Sequence, residues 1–522
     1  MDLKSIEKIE KKAGFSRSEA LRMAWVLVFI IGVMLYAHFN TPAVPGRMML
    51  IVAAMIGGYM ALNIGANDVA NNVGPAVGSQ ALTMVGAIVI AGIFEAAGAL
   101  IAGGDVVSTI KNGIIDPSLI QDSNVFIWIM MAALLAGAVW LNFATAVGAP
   151  VSTTHSVVGG VMGAGIAAGG WGIVNWSQMA AIASSWAISP VMGGIIAAAF
   201  LLLIKHTITY KDDKIAAAKR VVPLLISLMA WSFTTYLLMK GLNKLWELSF
   251  AMALGLGFFV AIAIYIIIKP LIAKAADNID NDKHAINSLF TVPLIFAAAM
   301  LSFAHGANDV ANAVGPLAAI SDAITSGGIA SQASIPLWVM VVGALGIVLG
   351  LALFGPKLIR TVGSEITELN KMRAFSVAMA ASITVIVASQ LGLPVSSTHI
   401  AVGGIFGVGF LREYIKKSYQ RMVDEIMEHH EGVEQEIVEA FLQDFQAASV
   451  AGKHAMLQQL KQNNTATQFS KRERKTLKKV YKNELVKRSA LLRIAAAWVI
   501  TVPASALLAA LIFYTIRGAL LP

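Results

Sequence analysis

Apolar stretches of about 20 residues, the length of a helix that crosses the hydrocarbon core of a bilayer, recur throughout this 522-residue chain. Hydrophobic residues make up 57% of the sequence and charged residues 13%, whereas an average soluble domain is about 25% charged. This composition excludes a disordered chain, a nucleic-acid-binding module and an ordinary soluble enzyme. It predicts an all-α integral membrane protein surrounded by lipid, with no nucleic-acid partner.

Hydropathy windows predict membrane-spanning helices near 23–38, 48–66, 84–103, 178–204, 221–239, 248–268, 289–306, 335–355 and 492–515. Two further apolar tracts, 126–168 and 375–411, are each interrupted by a proline with Ser, Thr and His neighbours, at 149–155 and 393–399. A helix usually ends before a proline and can restart with Ser or Thr at its N-cap. We therefore predict that each tract is a re-entrant hairpin of two half-helices that meet at a polar tip.

The distribution of Lys and Arg predicts the orientation of the chain. Basic residues concentrate before residue 23 and in the loops 205–220, 269–288 and 357–374, and they are sparse in 40–47, 104–125 and 240–247. Because cytoplasmic loops are enriched in Lys and Arg, the basic group is predicted to be cytoplasmic. The N-terminus and the polar insert 412–491 then lie in the cytoplasm of a multi-pass protein of the plasma (inner) membrane. The insert is predicted to be helical, as a solvated hairpin or as a regulatory or lipid-surface element.

Two motifs occur twice in the same order, which indicates an internal repeat. The segment Gly65–Pro75 recurs as Gly306–Pro316 with one difference, and the tip that begins at Pro150 recurs at Pro394. In the predicted topology the two copies run in opposite directions, which is the inverted repeat that places a substrate site near the bilayer midplane. The resulting divisions are the N-terminus with a first helix (1–47), repeat 1 (48–204), a connecting region (205–288), repeat 2 (289–411), the insert (412–491) and a last helix (492–522).

Acidic residues inside apolar tracts are costly in lipid and are by default functional. The candidates for cation binding or proton coupling are Asp68, Asn71, Asp309, Asn312 and Glu95. Carboxylate and amide oxygens suit a hard monovalent cation, and the adjacent Gly and Pro predict local unwinding that frees backbone carbonyls. Two alternatives stay open: each Asn-Asp pair is a helix N-cap, and Glu95 is a buried acid that is hydrogen-bonded to a neighbouring helix.

The hairpin tips combine hydroxyl groups with the positive end of a helix, which is an anion-binding arrangement. The phosphate-binding candidates are Ser152, Thr153, Thr154, Ser396, Ser397 and Thr398, together with Asn67 and Asn308 beside the acids. His155 and His399 either complete this donor set or fix the tips in place. The alternative for the hydroxyls is ordinary capping of a buried helix.

The central stretches 48–103, 126–170, 289–355 and 375–411 contain no Lys or Arg. A buried anion beside two aspartates therefore needs a positive charge that enters with it, which predicts cation symport. The donors do not distinguish phosphate from sulfate or a metal–phosphate complex. An anion channel would not need the intramembrane acids. An enzyme is not indicated, because the sequence shows no set of nucleophile and base.

At these motifs the chain resembles the PiT family of inorganic phosphate transporters. The resemblance rests on the doubled Gly-Ala-Asn-Asp-Val-Ala-Asn and Pro-Val-Ser-x-Thr-His segments and covers about 48–204 and 289–411. Supporting matches are Ile93–Glu95, Thr109–Asp116 and Thr361–Gly363. It implies phosphate uptake driven by sodium or protons, with no other cofactor, an inverted-repeat fold and a homodimer, and the family's sites map onto the residues named above.

The chain departs from this family in two places. Sodium-coupled relatives often carry a glutamate on the helix before the second tip, where this chain has Ala378. The insert 412–491 lies outside the family core. The choice between sodium and proton is therefore open, as is the role of the insert.

Overall fold

The computed structural model describes residues 17–120, 122–147, 151–241, 248–326, 335–364, 369–427 and 488–520. Within these ranges the regular structure is almost entirely helical, with one isolated bridge between Ile115 and Val174. The helices are α1 Arg17–Asn40, α2 Arg47–Asn67, α3 Val69–Gly78, α4 Met84–Ala102, α5 Gly104–Asn112, α6 Ser123–Val147, α7 Thr153–Gly169, α8 Trp176–Ile204, α9 Lys214–Lys240, α10 Phe250–Ala276, α11 Lys283–Ser288, α12 Thr291–Asp309, α13 Ala311–Thr325, α14 Leu337–Ser364, α15 Lys371–Gln390, α16 Ser397–Met427 and α17 Arg488–Leu520.

Eleven helical segments in the described residues are long and apolar enough to cross a membrane. Nine of them match the predicted spanning windows, and the other two are the first arms of the interrupted tracts, α6 and α15. The predicted all-α membrane fold is confirmed. The helices predicted in the insert lie outside the described residues, except that α16 continues through 412–427.

Both apolar tracts break where the sequence predicts. Helix α6 ends at Val147 and α7 begins at Thr153, while α15 ends at Gln390 and α16 begins at Ser397. The predicted breaks are therefore present in both copies, although Pro150 itself lies outside the described residues.

The arms of the first tract pack side by side in opposite directions. Gly137 of α6 faces Val157 of α7, and a methyl group on Gly160 would lie 3.1 Å from the backbone of Ala133. The two arms are therefore antiparallel, as in a hairpin. With 25 and 20 residues, α6 and α15 are each long enough to cross the bilayer, so re-entrance itself stays a prediction.

The predicted unwinding of the Asn-Asp segments is wrong. Helix α2 gives way to α3 at Asp68, whose φ of −88° and ψ of −37° are helical, and its N–H still bonds the Ile64 carbonyl at 2.9 Å. Helix α12 likewise gives way to α13 at Val310. The helical hydrogen bond at the aspartate outweighs the local preference of Gly and Pro, and the interruption is limited to one residue.

The helix that leads to the Asn-Asp segment of each copy packs against a helix of the other copy. A Cβ on Gly65 of α2 would lie 1.8 Å from the Ile347 carbonyl oxygen of α14, and one on Gly306 of α12 would lie 2.2 Å from the Glu95 carbonyl oxygen of α4. Since no side chain fits at such a separation, glycine is required for both approaches. This reciprocity supports the inverted repeat, which stays a prediction.

Each hairpin's second arm also packs against a helix through glycines. A Cβ on Gly163 of α7 would lie 2.2 Å from the Ala506 carbonyl oxygen of α17, and one on Gly407 of α16 would lie 2.1 Å from the Gly194 carbonyl oxygen of α8. The glycines near the first tip therefore serve close helix packing. Helix α17 therefore packs against the second arm of the first tract, as α8 packs against the second arm of the second tract.

A buried ion pair joins the two copies on the short helix α5. Lys111 pairs with Asp322 of α13, and the two residues are 4% and 8% exposed. On the same helix, the Thr109 hydroxyl donates to the Gly392 carbonyl at 2.7 Å. Helix α5 thus links α13 to the second tip.

Candidate functional site

The two tips and the two Asn-Asp segments meet in the centre of the helix bundle, and hydrogen bonds cross between the copies. The Asn71 amide donates to the Thr398 hydroxyl at 2.8 Å, and the Asn312 amide donates to Thr153 and Thr154 at 3.1 and 3.2 Å. Each asparagine therefore bonds the tip of the other copy. These residues are at most 1% exposed, so the bonds form away from the surface.

The carboxylate of Asp68 accepts hydroxyl donors from both tips. Thr153 donates to Oδ2 at 2.6 Å and Thr398 donates to Oδ1 at 3.1 Å. In the second copy, the Ser397 hydroxyl donates to Asp309 Oδ2 at 2.9 Å. The predicted anion donors and the predicted acids are thus direct hydrogen-bond partners.

The asparagines that precede the acids brace the tips within their own copies. The Asn67 amide donates to Thr145 at the end of α6 at 2.9 Å, and the Asn308 amide donates to Ser389 at the end of α15 at 2.9 Å. Asn308 also donates to the Leu393 carbonyl at 3.2 Å. The sequence predicted Asn67 and Asn308 as site residues, but Thr145 and Ser389 were not predicted.

The first serine of each tip is a helix cap. The Ser152 hydroxyl accepts from the His155 N–H at 3.1 Å, and the Ser396 hydroxyl accepts from the His399 N–H at 3.2 Å. Neither Asp68 nor Val310, the residues at the N-caps of α3 and α13, makes a side-chain cap. The capping alternative therefore describes Ser152 and Ser396, while the Asn-Asp segments do not cap.

The tip histidines touch each other across the two copies. Their ring centroids are 4.5 Å apart with the planes perpendicular, and His155 also packs on Trp186 of α8 at 3.9 Å. Trp186 in turn donates to the Pro394 carbonyl at 3.1 Å. His155 and His399 thus lie where the tips meet, which favours the prediction that they fix the tips in place.

One functional candidate, His305, was not predicted from the sequence. Its Nδ1 lies 2.7 Å from Glu95 Oε2 and its Nε2 lies 2.9 Å from Asp309 Oδ2, and all three side chains are at most 1% exposed. Asn72 donates to the other Glu95 oxygen at 2.7 Å. Glu95 is therefore a buried acid that is hydrogen-bonded to neighbouring helices, which is one of the alternatives left open by the sequence. His305 lies between Glu95 and Asp309 and contacts both carboxylates. An intramembrane histidine directly before the second motif was the available signal.

Several buried oxygens at the centre suit a cation. Ligand atoms of Asp68, His305 and Asp309 all lie within 4.8 Å of one another. Asn71 Oδ1, Asn308 Oδ1, Asn312 Oδ1 and Asp309 Oδ1 are buried and have no hydrogen-bond partner. Buried acceptors without donors are costly, and hard cations prefer oxygen ligands. The donor set therefore fits a cation, and the helices that begin at Thr153 and Ser397 add N-terminal ends that favour an anion.

The chain matches the profile described as the phosphate transporter family over residues 64–509. It belongs to the phosphate transporter family. This confirms the resemblance seen at the doubled motifs, and because the relatives are named as permeases, the chain is assigned as a transporter and not as an enzyme.

Similar proteins of this family cover between 71% and 98% of the chain. A putative phosphate permease of Helicobacter pylori is 54% identical over 98% of each chain, so it also spans the insert 412–491. One from Pyrococcus horikoshii is 40% identical and covers 71% of this chain and 90% of its own. Among solved structures, "The sodium-dependent phosphate transporter" is 30% identical with a TM-score of 0.73, over 91% of this chain and all of its own.

Proposed function

We propose that the protein is a secondary active symporter that takes up inorganic phosphate with a coupling cation, sodium or proton, across the plasma (inner) membrane. The observation that carries the proposal is that the predicted phosphate donors already donate to the acids. Thr153 and Thr398 bond Asp68, and Ser397 bonds Asp309. Phosphate and carboxylate therefore compete for the same hydroxyl groups.

This competition gives a physical reason for coupling. When phosphate takes the hydroxyl donors, the buried carboxylates of Asp68 and Asp309 lose their partners, and an uncompensated buried charge is strongly unfavourable. A sodium ion on the carboxylate and amide oxygens, or a proton on the carboxylate, removes that cost. Phosphate binding thus requires cation binding, and the reverse holds by linkage.

The proposal includes the arrangement of the protein in the membrane. The hairpins enter from opposite sides, and the two antiparallel copies give alternating access around the central site. The N-terminus and the insert 412–491 lie in the cytoplasm, as the Lys and Arg distribution predicts. A homodimer is expected from the family resemblance.

Uptake of labelled phosphate by proteoliposomes tests the symport. We expect accumulation above equilibrium only with an inward gradient of sodium or of protons, because the buried acids must be neutralised for phosphate to bind. The assay compares each gradient alone, both together and neither. Phosphate that merely equilibrates, whatever the cation gradient, would contradict symport and indicate an anion channel. Full competition by excess sulfate would assign the substrate to tetrahedral anions in general.

A metal–phosphate complex is a second candidate cargo, and the cluster of Asp68, His305 and Asp309 favours it. Imidazole and carboxylate together bind divalent transition metals, whereas sodium prefers oxygen ligands alone. If the complex is the cargo, EDTA should abolish phosphate uptake, labelled zinc should enter only with phosphate, and His305→Gln should lower zinc entry. Undiminished phosphate accumulation in EDTA-treated vesicles would exclude this candidate.

A further inference from the structure

The two tips contact each other directly, in addition to their contacts with the Asn-Asp segments. The Thr154 hydroxyl of the first tip donates to the Val395 carbonyl of the second tip at 3.0 Å, and both residues are at most 1% exposed. The rings of His155 and His399 meet at the same place. Contacts between the tips themselves therefore help to set the spacing between them.

Phosphate binding removes one of these contacts. Thr154 is among the hydroxyl groups assigned to phosphate, and a hydroxyl group has a single hydrogen to donate. When Thr154 donates to phosphate, the Val395 carbonyl loses its donor, and the bond between the tips is broken. Hydroxyl groups of both tips must still reach one anion. The loaded site therefore needs a contact between the tips that uses no phosphate donor.

Trp186 of α8 makes such a contact with both tips at once. Its indole N–H donates to the Pro394 carbonyl of the second tip at 3.1 Å. Its ring packs on His155 of the first tip, with ring centroids 3.9 Å apart. The indole N–H is not among the groups assigned to phosphate or to the cation. The bond to Pro394 is therefore retained while Thr154 donates to the anion.

Close packing of α8 on the second hairpin fixes the position of Trp186. A Cβ on Gly403 of α16 would lie 2.2 Å from the carbonyl oxygen of Pro190, which is one turn after Trp186, and a Cβ on Gly193 would lie 2.8 Å from the Ile400 carbonyl oxygen. Backbones approach this closely only where glycine is present. Helix α8 is thus tightly packed on the second hairpin, and Trp186 reaches from it to the first tip.

The same position carries a tryptophan in the other half of the chain. The carbonyl groups of Gly194 on α8 and Ala506 on α17 contact equivalent glycines on the second arms of the two tracts. Ala506 lies 312 residues after Gly194, and the residue 312 positions after Trp186 is Trp498. The internal repeat therefore includes a tryptophan on the helix that packs against each second arm.

We propose that Trp186 is a positioning residue, which holds the two tips at the spacing that phosphate requires and acts through Pro394 and His155 without touching phosphate itself. The proposal rests on the proposed function, because it takes the tip hydroxyl groups to bind phosphate. A site that is held in its binding geometry loses less free energy to ordering when the ligand binds. Loss of the Trp186 contacts should therefore weaken phosphate binding more than it slows transport at saturating phosphate.

The test is Trp186→Phe, which keeps a ring beside His155 and removes the indole N–H. The dissociation constant is measured from the rise of the thermal midpoint of the purified protein with phosphate concentration. Uptake by proteoliposomes gives the half-saturating phosphate concentration and the maximal rate per amount of protein. We expect the first two quantities to rise about fivefold, the value of one hydrogen bond. The maximal rate should stay within about twofold.

Trp186→Ala also removes the ring from His155, so it should raise both quantities further, by about twentyfold relative to the unaltered protein. The matched control is Trp176→Phe on the same helix. The Trp176 indole N–H also donates to a backbone carbonyl at 3.1 Å, that of Trp171, but Trp176 is 49% exposed and lies away from the tips. The control should leave phosphate binding and uptake unchanged. A lower maximal rate in Trp186→Phe with unchanged half-saturation would overturn the proposal, since it would describe a general structural role.

Amide hydrogen exchange reads the spacing of the tips without phosphate. Exchange is followed by mass spectrometry in peptides that cover 151–158 and 393–400. In Trp186→Phe we expect exchange about fivefold faster in both tips, because one hydrogen bond no longer opposes their opening. Trp176→Phe should exchange like the unaltered protein at both tips. Equal exchange in Trp186→Phe and the unaltered protein would overturn the proposal.

The two readouts separate this proposal from the proposed function. If the unaltered protein neither binds nor accumulates phosphate, the proposed function fails, and with it the role of Trp186 in phosphate binding. Faster exchange in Trp186→Phe would still assign Trp186 to the spacing of the tips. If Trp186→Ala does not fold, Trp186→Phe decides the question, because it keeps an aromatic ring in the same place.

Discussion

Replacing Asp309 with Asn is expected to slow cation-driven phosphate accumulation by about ten- to one-hundredfold while the protein stays folded. The change removes a buried charge that lies beside the Ser397 hydroxyl and His305, but it keeps the shape of the side chain. Losing one charge-assisted contact of about 1.5–3 kcal/mol corresponds to a rate about ten to one hundred times lower. Asp68→Asn should have the larger effect, because Asp68 accepts from both tips.

The measurement is the initial rate of gradient-driven uptake, normalised to the amount of reconstituted protein. Asp116→Asn is the matched control, since Asp116 is an exposed acid that caps a surface turn and should transport normally. An Asp309→Asn protein that still passes phosphate at the original rate would show that the acids are not needed. The anion-channel alternative would then replace symport.

Replacing Lys111 with Met is expected to destabilise the fold by about 3–5 kcal/mol, because it leaves Asp322 as a buried, unpaired charge. The same change at Lys219, whose partner Asp277 is 63% exposed, should cost no more than about 1 kcal/mol. The thermal midpoint of each purified protein in one detergent gives the comparison. The double variant Lys111→Met with Asp322→Leu should recover most of the loss, since no charge is left unpaired.

Equal midpoints for Lys111→Met and Lys219→Met would contradict this view of the α5–α13 contact. The double variant separates charge from packing. If it is no more stable than Lys111→Met alone, then the shape of the lysine side chain, and not its charge, stabilises the contact between the copies.

The sequence predicts the helices, the two breaks and most of the central residues, because these depend on local apolar length, proline and repeated motifs. It does not predict which side chains meet across the copies. Asn71 bonds Thr398 over a separation of 327 residues, and no local pattern encodes such a pairing. Ser389 was missed for a similar reason, since a lone serine in an apolar helix carries no distinguishing signal until the fold brings Asn308 to it.

His305 and the unwinding prediction show two other limits. The internal repeat marks positions that are identical in the two copies. His305 corresponds to Ile64 in the first copy, so the repeat does not mark it as a site residue. The unwinding prediction used the preferences of Gly and Pro, but the helical bond from Asp68 N–H to Ile64 persists within the packed bundle. Tertiary packing overrides local propensity at such positions.

The polar set formed by Asn72, Glu95 and His305 has no equivalent in the opposite half, where Ala313 and Ile64 occupy the corresponding positions of Asn72 and His305. Two perfectly matched antiparallel halves would give inward-facing and outward-facing forms of equal free energy. Additional buried hydrogen bonds on one side remove that degeneracy. If the two copies are antiparallel as proposed, the transporter has a preferred resting orientation in the absence of any ion gradient, set by which form keeps His305 in contact with both Glu95 and Asp309.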